Sequence, residues 1–149
     1  MEMDINPIQF GNRVKSVHYI PKPGAYAVIL KGNQQVALVE DKGRYHLPGG
    51  GIHENESFDD ALVREVSEET GIVFTHKKYI GTANQYCGTV KDNQHYNKLC
   101  HYFLIEQFNK LLSFKDVEYL IIWMNLEDAK DHLDHESHAW AVKMAFHSI

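Results

Sequence analysis

Short apolar runs separated by turn-forming residues dominate the first third of the chain. Val14 to Ile20, Tyr26 to Lys31 and Gln35 to Glu40 are rich in β-branched and aromatic residues, and "PKPG" and "KGN" break them. These three runs predict strands. The pattern changes after Ser57, where Phe58, Leu62 and Val66 recur every four residues and form one apolar stripe at about 100° per residue. Ser57 suits an N-cap, Asp59 and Asp60 suit the positive end of the helix dipole, and Gly71 suits a left-handed stop. Strand-like runs return at Phe74 to Gln85, Leu99 to Gln107 and Tyr119 to Met124. Leu126 to Leu133 and Ser137 to Phe146 then show helical periodicity. Strands, one helix, strands and then helices predict an α/β or α+β sandwich with the sheet between helices. No repeat, low-complexity tract or long linker divides the chain, so residues 1–149 are expected to form a single domain.

Composition narrows the function classes. A chain of 149 residues with 44% hydrophobic and 23% charged content can bury a real core. Its net charge of -5 offers no basic footprint for long nucleic acid, although a local basic pocket could still take a short nucleotide. The opening MEMDINPIQFGNRV lacks the apolar segment of a signal peptide, and no apolar run approaches the roughly 18 residues of a membrane span. A cytoplasmic protein with no membrane partner is the expectation. Cys87 and Cys100 are too few for a disulfide framework and read as buried free thiols.

The segment REVSEETG raises an electrostatic question, because like charges three and four positions apart repel on a helix. Glu65, Glu68 and Glu69 lie within an arc of about 100° beside the apolar stripe, at its edge and not opposite it. There they are partly desolvated, so their repulsion is poorly screened. Arg64 can pair with Glu68, but one guanidinium cannot neutralise three carboxylates. A solvated acidic face and a hard divalent cation with oxygen ligands are the two readings of the helix alone.

Upstream, LPGGG closes a strand at Pro48 and enters what reads as a loop of three glycines, where backbone can approach a ligand closely. With that loop included, the segment resembles the Nudix box, G-x5-E-x7-R-E-U-x-E-E-x-G-U, in which U is a bulky aliphatic residue. Gly50, Glu56, Arg64, Glu65, Val66, Glu68, Glu69, Gly71 and Ile72 fill its defined positions over residues 50–72. The flanking strands and the late IIWMNLEDA run extend the resemblance over nearly the whole chain.

What the resemblance implies is a Nudix-type α/β/α sandwich with a mixed β-sheet, and an enzyme dependent on Mg²⁺, with Mn²⁺ as an alternative. Members of that family mostly hydrolyse nucleoside diphosphates linked to another group, so cleavage of a pyrophosphate bond by water is the implied reaction. By the same resemblance Glu68 and Glu69 are the main metal ligands, and Glu65 binds metal or acts as the base. Arg64 fixes Glu65, the Gly50 carbonyl completes the metal shell, and Glu56 supports the ligands from behind. In parts of the family the base is an acid on a loop outside the box, for which Asp116 and Glu118 are candidates. His53 stands where a glutamate is frequent.

Substrate contacts are less legible. Tyr45, Tyr86, Tyr96 and Tyr102 could stack on a base, and Lys42 or Arg44 could meet a phosphate. Among them Arg44, Tyr45 and Tyr86 are the substrate candidates carried forward. Ten histidines include His132, His135 and His138; with Asp134 and Ser137 as turn and cap residues, they read as a surface linker between two helices. The partner is expected to be a small nucleotide: a nucleoside triphosphate, dinucleoside polyphosphate, ADP-ribose or nucleotide sugar. A monomer or a homodimer fits equally. A nucleotide-sensing module without turnover is the alternative, and isomerase chemistry is set aside because no motif places either cysteine at such a site.

Overall fold

Alternation along the two central strands sorts the core into two layers. The computed structural model describes residues 7–32, 34–88, 93–110 and 117–148. In it β3 (Gly24–Lys31) runs parallel to β9 (His95–Ile105), with Ala27 opposite Phe103 and Ile29 opposite Ile105. Ala25, Ala27, Ile29, Phe103 and Ile105 face one side, where they pack with Ala61, Leu62 and Val66 of α1 (Phe58–Thr70). Val28, Leu30, Tyr102 and Leu104 face the other. That face is covered by Ala129 of α2 (Leu126–His132) and by Ala141, Val142 and Ala145 of α3 (Glu136–Phe146). Burial on both faces is why these strands read as continuous apolar runs.

Around this pair the described residues build a nine-stranded mixed sheet. Its main path begins with β1 (Ile8–Phe10), parallel to β8 (Lys78–Gly88), which forms an antiparallel pair with β9. Beyond β3 come β4 (Gln35–Asp41) and β11 (Ile121–Met124). β2 (Ile20–Pro21), β5 (Arg44–His46) and β6 (Gly49–Gly51) pair off this path with β9, β4 and β3 respectively. A separate ribbon joins β7 (Ile72–Val73) to β10 (Asn109–Lys110). Among the described residues no helix is long and apolar enough to cross a membrane.

The expected architecture is present, with local corrections. Of the expected strand Val14 to Ile20 only Ile20 pairs, as the start of β2; before it the Val17 N–H donates to the Val14 carbonyl and the Val14 N–H to the Tyr19 hydroxyl, so local bonds replace a ladder. Ile8–Phe10 pairs as a strand that its short, largely exposed pattern did not announce. The strand expected from Phe74 starts only at Lys78, and Ile72–Val73, just before the expected run, pairs separately with β10. LPGGG does not become a loop; Gly49, Gly50 and Gly51 pair antiparallel with Tyr26, Ala25 and Gly24.

Helix α1 follows its sequence signals closely. Ser57 accepts a hydrogen bond from the Asp60 N–H, and Gly71 closes the helix at φ 75° with its N–H on the Ser67 carbonyl. The segment from Asp134 to His138 differs from the expected surface linker. Ser137 is buried, with its N–H donating to Gln85 and its hydroxyl accepting from Tyr102; it is not a cap, and His135 occupies that position. His138 is buried too, and Cys100 is a buried free thiol while Cys87 is half-buried.

Burial places a pH limit on this fold. His101 sits against Thr82 and the Phe58 ring, and burial brings its pKa down to about 4. Folded His101 therefore stays neutral while the unfolded chain takes up a proton below about pH 6.5, so stability falls as pH drops from 6.5 towards 4. His101→Phe is expected to flatten that fall, by about 2 kcal/mol between pH 7.5 and pH 5. Urea midpoints of both proteins at the two pH values check this, and parallel pH dependences would refute it.

Candidate active site

Two elements meet at the box, the glycine strand β6 and the inner edge of helix α1. A Cβ at Gly50 would lie 2.7 Å from the Glu65 carboxylate, and one at Gly49 would lie 2.6 Å from the Tyr26 Cα. Gly49 also has φ 142°, which side-chain-bearing residues rarely adopt. Gly49 therefore requires glycine, because backbone meets backbone there at a positive φ, while a side chain at Gly50 would displace the Glu65 carboxylate. The approach lets the Gly49 N–H donate to Glu69 Oε1 at 2.7 Å.

Arg64 lies across the acidic edge of the helix. Its Nε and Nη2 donate to the two oxygens of Glu56 at 2.8 and 3.0 Å, its Nη1 to Glu65 at 3.0 Å and to Glu68 at 3.3 Å, and its Nη2 also to the Gly51 carbonyl at 3.1 Å. The bond to Arg64, followed by the His53 N–H, brings the Glu56 pKa down to about 2. Glu56 thus anchors Arg64, and His53 contributes its backbone N–H to that arrangement. Arg64 in turn joins the helix to the glycine strand.

Glu69 is outside this guanidinium's reach. It is 6% exposed, and burial, with repulsion from Glu65, Glu118 and Glu68, outweighs the Gly49 amide and raises its pKa to about 8. Glu118 comes close because its N–H donates to the Glu68 carbonyl, while the Tyr119 N–H donates to the Glu69 carbonyl. These bonds satisfy helix-end carbonyls and carry the loop acid to the site. Asp116, the other loop candidate, lies outside the described residues.

The side-chain donors at this corner are hard oxygens, the carboxylates of Glu65, Glu68 and Glu69, which suits Mg²⁺ or Mn²⁺, whereas the Gly50 carbonyl lies on the β3 side, 2.8 Å from where a Gly24 Cβ would stand. A buried carboxylate whose ionised form is opposed by its neighbours is the feature that fits a cation. Among the described residues no group of three or more His, Cys, Asp or Glu side chains already converges as a metal cage. Arg64 engages two of the three helix glutamates, and Glu68 is 55% exposed at its side chain.

A cavity of about 240 Å³ adjoins Gly49. Arg44 and Tyr45 line it, as do Tyr26, Lys98, His135 and His138, which the sequence did not single out as substrate residues. Arg44 is mostly exposed and pairs with Asp134 at 3.6 Å. Tyr86 is not brought to this cavity: it packs edge-on against Tyr19 and under Arg13, beside a separate hollow. Tyr102 is fully buried and unavailable for stacking, Tyr96 lies beneath Lys22, and Lys42 is an exposed turn residue. Only the spacing of His135 and His138 hinted at this wall, since their elements meet through the tertiary fold.

Comparison with known proteins agrees with this geometry. The family model described as NUDIX domain matches residues 20–145, and the chain belongs to the NUDIX family. A Bacillus subtilis (strain 168) protein named "Putative 8-oxo-dGTP diphosphatase" is 44% identical over 50 residues, which are 32% of this chain and 34% of that protein. The match thus spans about a third of the relative's length. The MutT NUDIX hydrolase of Burkholderia pseudomallei superposes with a TM-score of 0.66 at 22% identity, covering 83% of this chain and 97% of that one. The MutT protein of Bacillus halodurans gives 0.68 at 18% identity, covering 85% and 82%. At these identities the two structures establish the shared fold.

Removing the buried charge tests the electrostatics of this corner. Glu69→Gln keeps an oxygen to accept from Gly49, so without divalent metal it is expected to be more stable than the wild type at pH 8. Mg²⁺ should raise the melting temperature of the wild type more than that of the variant. Thermal unfolding with and without Mg²⁺ measures both effects; a less stable metal-free variant would remove the argument for a destabilising charge.

Proposed function

We propose that this protein is a Mg²⁺-dependent hydrolase, with Mn²⁺ as an alternative metal, that cleaves the pyrophosphate linkage of a nucleoside diphosphate derivative by attack of water on phosphorus. The observation that carries the reading is Glu69, a buried carboxylate opposed by Glu65, Glu68 and Glu118 beside a glycine strand that opens onto a cavity. Such repulsion has a physical use where a divalent cation binds.

Glu68, Glu69 and Glu65 are the residues that would hold the metal. When bound, it would offset negative charge on the phosphoanhydride oxygens and on the leaving phosphate. Arg64 keeps Glu65 fixed against the Gly50 backbone, and Glu56 keeps Arg64 in place. The water oxygen forms a bond to one phosphorus, the bridging oxygen leaves with the other phosphoryl group, and a carboxylate takes the proton. Glu65 and Glu118 are the candidate bases.

The B. subtilis relative's name directs attention to nucleoside triphosphates, oxidised ones included. Incubation with Mg²⁺ and a panel of normal and oxidised nucleoside triphosphates, dinucleoside polyphosphates, ADP-ribose and nucleotide sugars should yield a nucleoside monophosphate from at least one class. Mass spectrometry in ¹⁸O-labelled water should find the label on a phosphate product. Absence of product with every class, alongside measurable nucleotide binding, would replace this reading with a sensing module.

Substitution separates the two candidate bases. Replacement of the base by glutamine is expected to lower kcat by about 10²-fold to 10⁴-fold at saturating Mg²⁺ and to abolish the acidic limb of the pH profile. The other replacement should leave that limb in place. If both variants kept the limb, neither carboxylate would be the base.

A further inference from the structure

Tyr86, absent from the Gly49 cavity, belongs to a second hollow that the N-terminal segment builds. β1 pairs with the outer side of β8 and β2 with the outer side of β9, so residues 11–19 must cross both strands. Beneath the crossing lies the opposed pair Tyr86 and Asn97, and Asn97 is held by donating to Asn84 Oδ1 at 3.0 Å. The Tyr19 hydroxyl accepts from the Val14 N–H at 3.0 Å and donates to the Asn12 carbonyl at 3.2 Å, which closes the crossing into an arc. The Tyr19 ring meets Tyr86 edge-on, with centroids 5.0 Å apart. The result is a hollow of about 280 Å³, lined by half-buried Tyr19 and Tyr86 and by exposed Arg13 and His18.

Charge sets this hollow apart. Residues 7–23 contain Arg13, Lys15, His18 and Lys22 and no Asp or Glu, in a chain whose net charge is -5. Among the described residues no carboxylate lines the hollow, whereas Asp41 and Asp134 line the Gly49 cavity. The described ion pairs occupy Arg44, Arg64, Lys77 and Lys130, so among the described residues Arg13 has no carboxylate partner. Its guanidinium lies over the Tyr86 ring, 5.7 Å from the centroid. Such stacking uses the face of the guanidinium and leaves its in-plane N–H groups free to meet an anion. An uncompensated cation beside two accessible aromatic rings fits a ligand that joins an anion to a flat ring. The volume is close to the roughly 300 Å³ at which pockets for whole ligands begin, so that ligand is small.

We infer that this hollow is a second ligand site that takes a nucleoside monophosphate, with Arg13 on its phosphate and the Tyr19 and Tyr86 rings against its base. None of its lining residues belongs to the Gly49 cavity or to the box over residues 50–72. Base choice is loose here, because every base has a flat face and stacking does not read base edges. A nucleoside monophosphate is also a product of the proposed hydrolysis, but binding in this hollow requires no turnover.

The test follows the full chain, with ring-labelled tyrosine and without metal, by NMR as AMP, GMP, UMP or CMP is added. All four should shift the Tyr19 and Tyr86 ring resonances saturably, with dissociation constants within about tenfold of one another. The Tyr26 and Tyr45 rings report the Gly49 cavity separately. Arg13→Gln, at an exposed position, should weaken the binding read at Tyr19 and Tyr86 by at least about tenfold and leave any binding read at Tyr26 and Tyr45 unchanged. Tyr19 and Tyr86 rings unmoved by all four ligands, or an affinity unaltered in Arg13→Gln, would overturn the inference. So would an equal response to unphosphorylated nucleosides or to inorganic phosphate, since the site would then recognise only one of the two groups. Hydrolysis with Tyr19 and Tyr86 unmoved would sink this inference alone. Moved rings without hydrolysis of any substrate would sink the enzyme reading alone.

Discussion

The close approach of the glycine strand β6 to helix α1 is the constraint on which the rest of the site depends. No Cβ fits at Gly50 without meeting the Glu65 carboxylate, and none at Gly49 without meeting the backbone of β3. Because the strand comes this near, the Gly49 amide can reach Glu69 and the Gly51 carbonyl can accept from Arg64. A wider separation would leave the carboxylates in water, where their mutual repulsion would be weak. Packing thus determines the electrostatics here.

Arg64 and Glu69 show two treatments of the same acidic edge. Arg64 draws Glu56, Glu65 and Glu68 into one partly buried network, and its bond to the Gly51 carbonyl ties the helix to the strand. Glu69 receives a single amide and has three like charges nearby. The first arrangement is complete within the protein, while the second has capacity for a cation. The backbone bonds from Glu118 and Tyr119 to the end of α1 add a further carboxylate to that capacity.

Gly49 connects this corner to the aromatic cavity on its other side. The wall there comes from β3, β5, β9 and the start of α3, which are distant in sequence and meet because the sheet stacks them. Bonds from Leu47 to His138, from Ser137 to Gln85 and from Tyr102 to Ser137 fasten α3 at this level. The helix that covers one face of the core thereby also presents a buried imidazole to the cavity.

Local chemistry made α1 legible: Ser57, the stripe of Leu62 and Val66, and Gly71 act within a few residues of one another, so spacing alone marked both ends and the buried face. The glutamates and glycines of the box were legible for the same reason. Other features depended on distant partners. Val14 to Ile20 has strand composition but makes local bonds up to Tyr19 and pairs only at Ile20, and three glycines suited to a loop become a strand because β3 offers an edge. Tyr102 and Tyr45 look alike as residues; one fills the core and the other lines a cavity, according to which face of the sheet or which edge strand carries them. Sequence by itself therefore determined the layers, the acidic helix and the family chemistry they resemble, since these follow from short-range periodicity and spacing. Which glutamate is buried, which loop acid stands beside it, and which histidine meets the cavity were decided by tertiary packing, because burial and unsatisfied hydrogen bonds exist only once distant strands and helices meet.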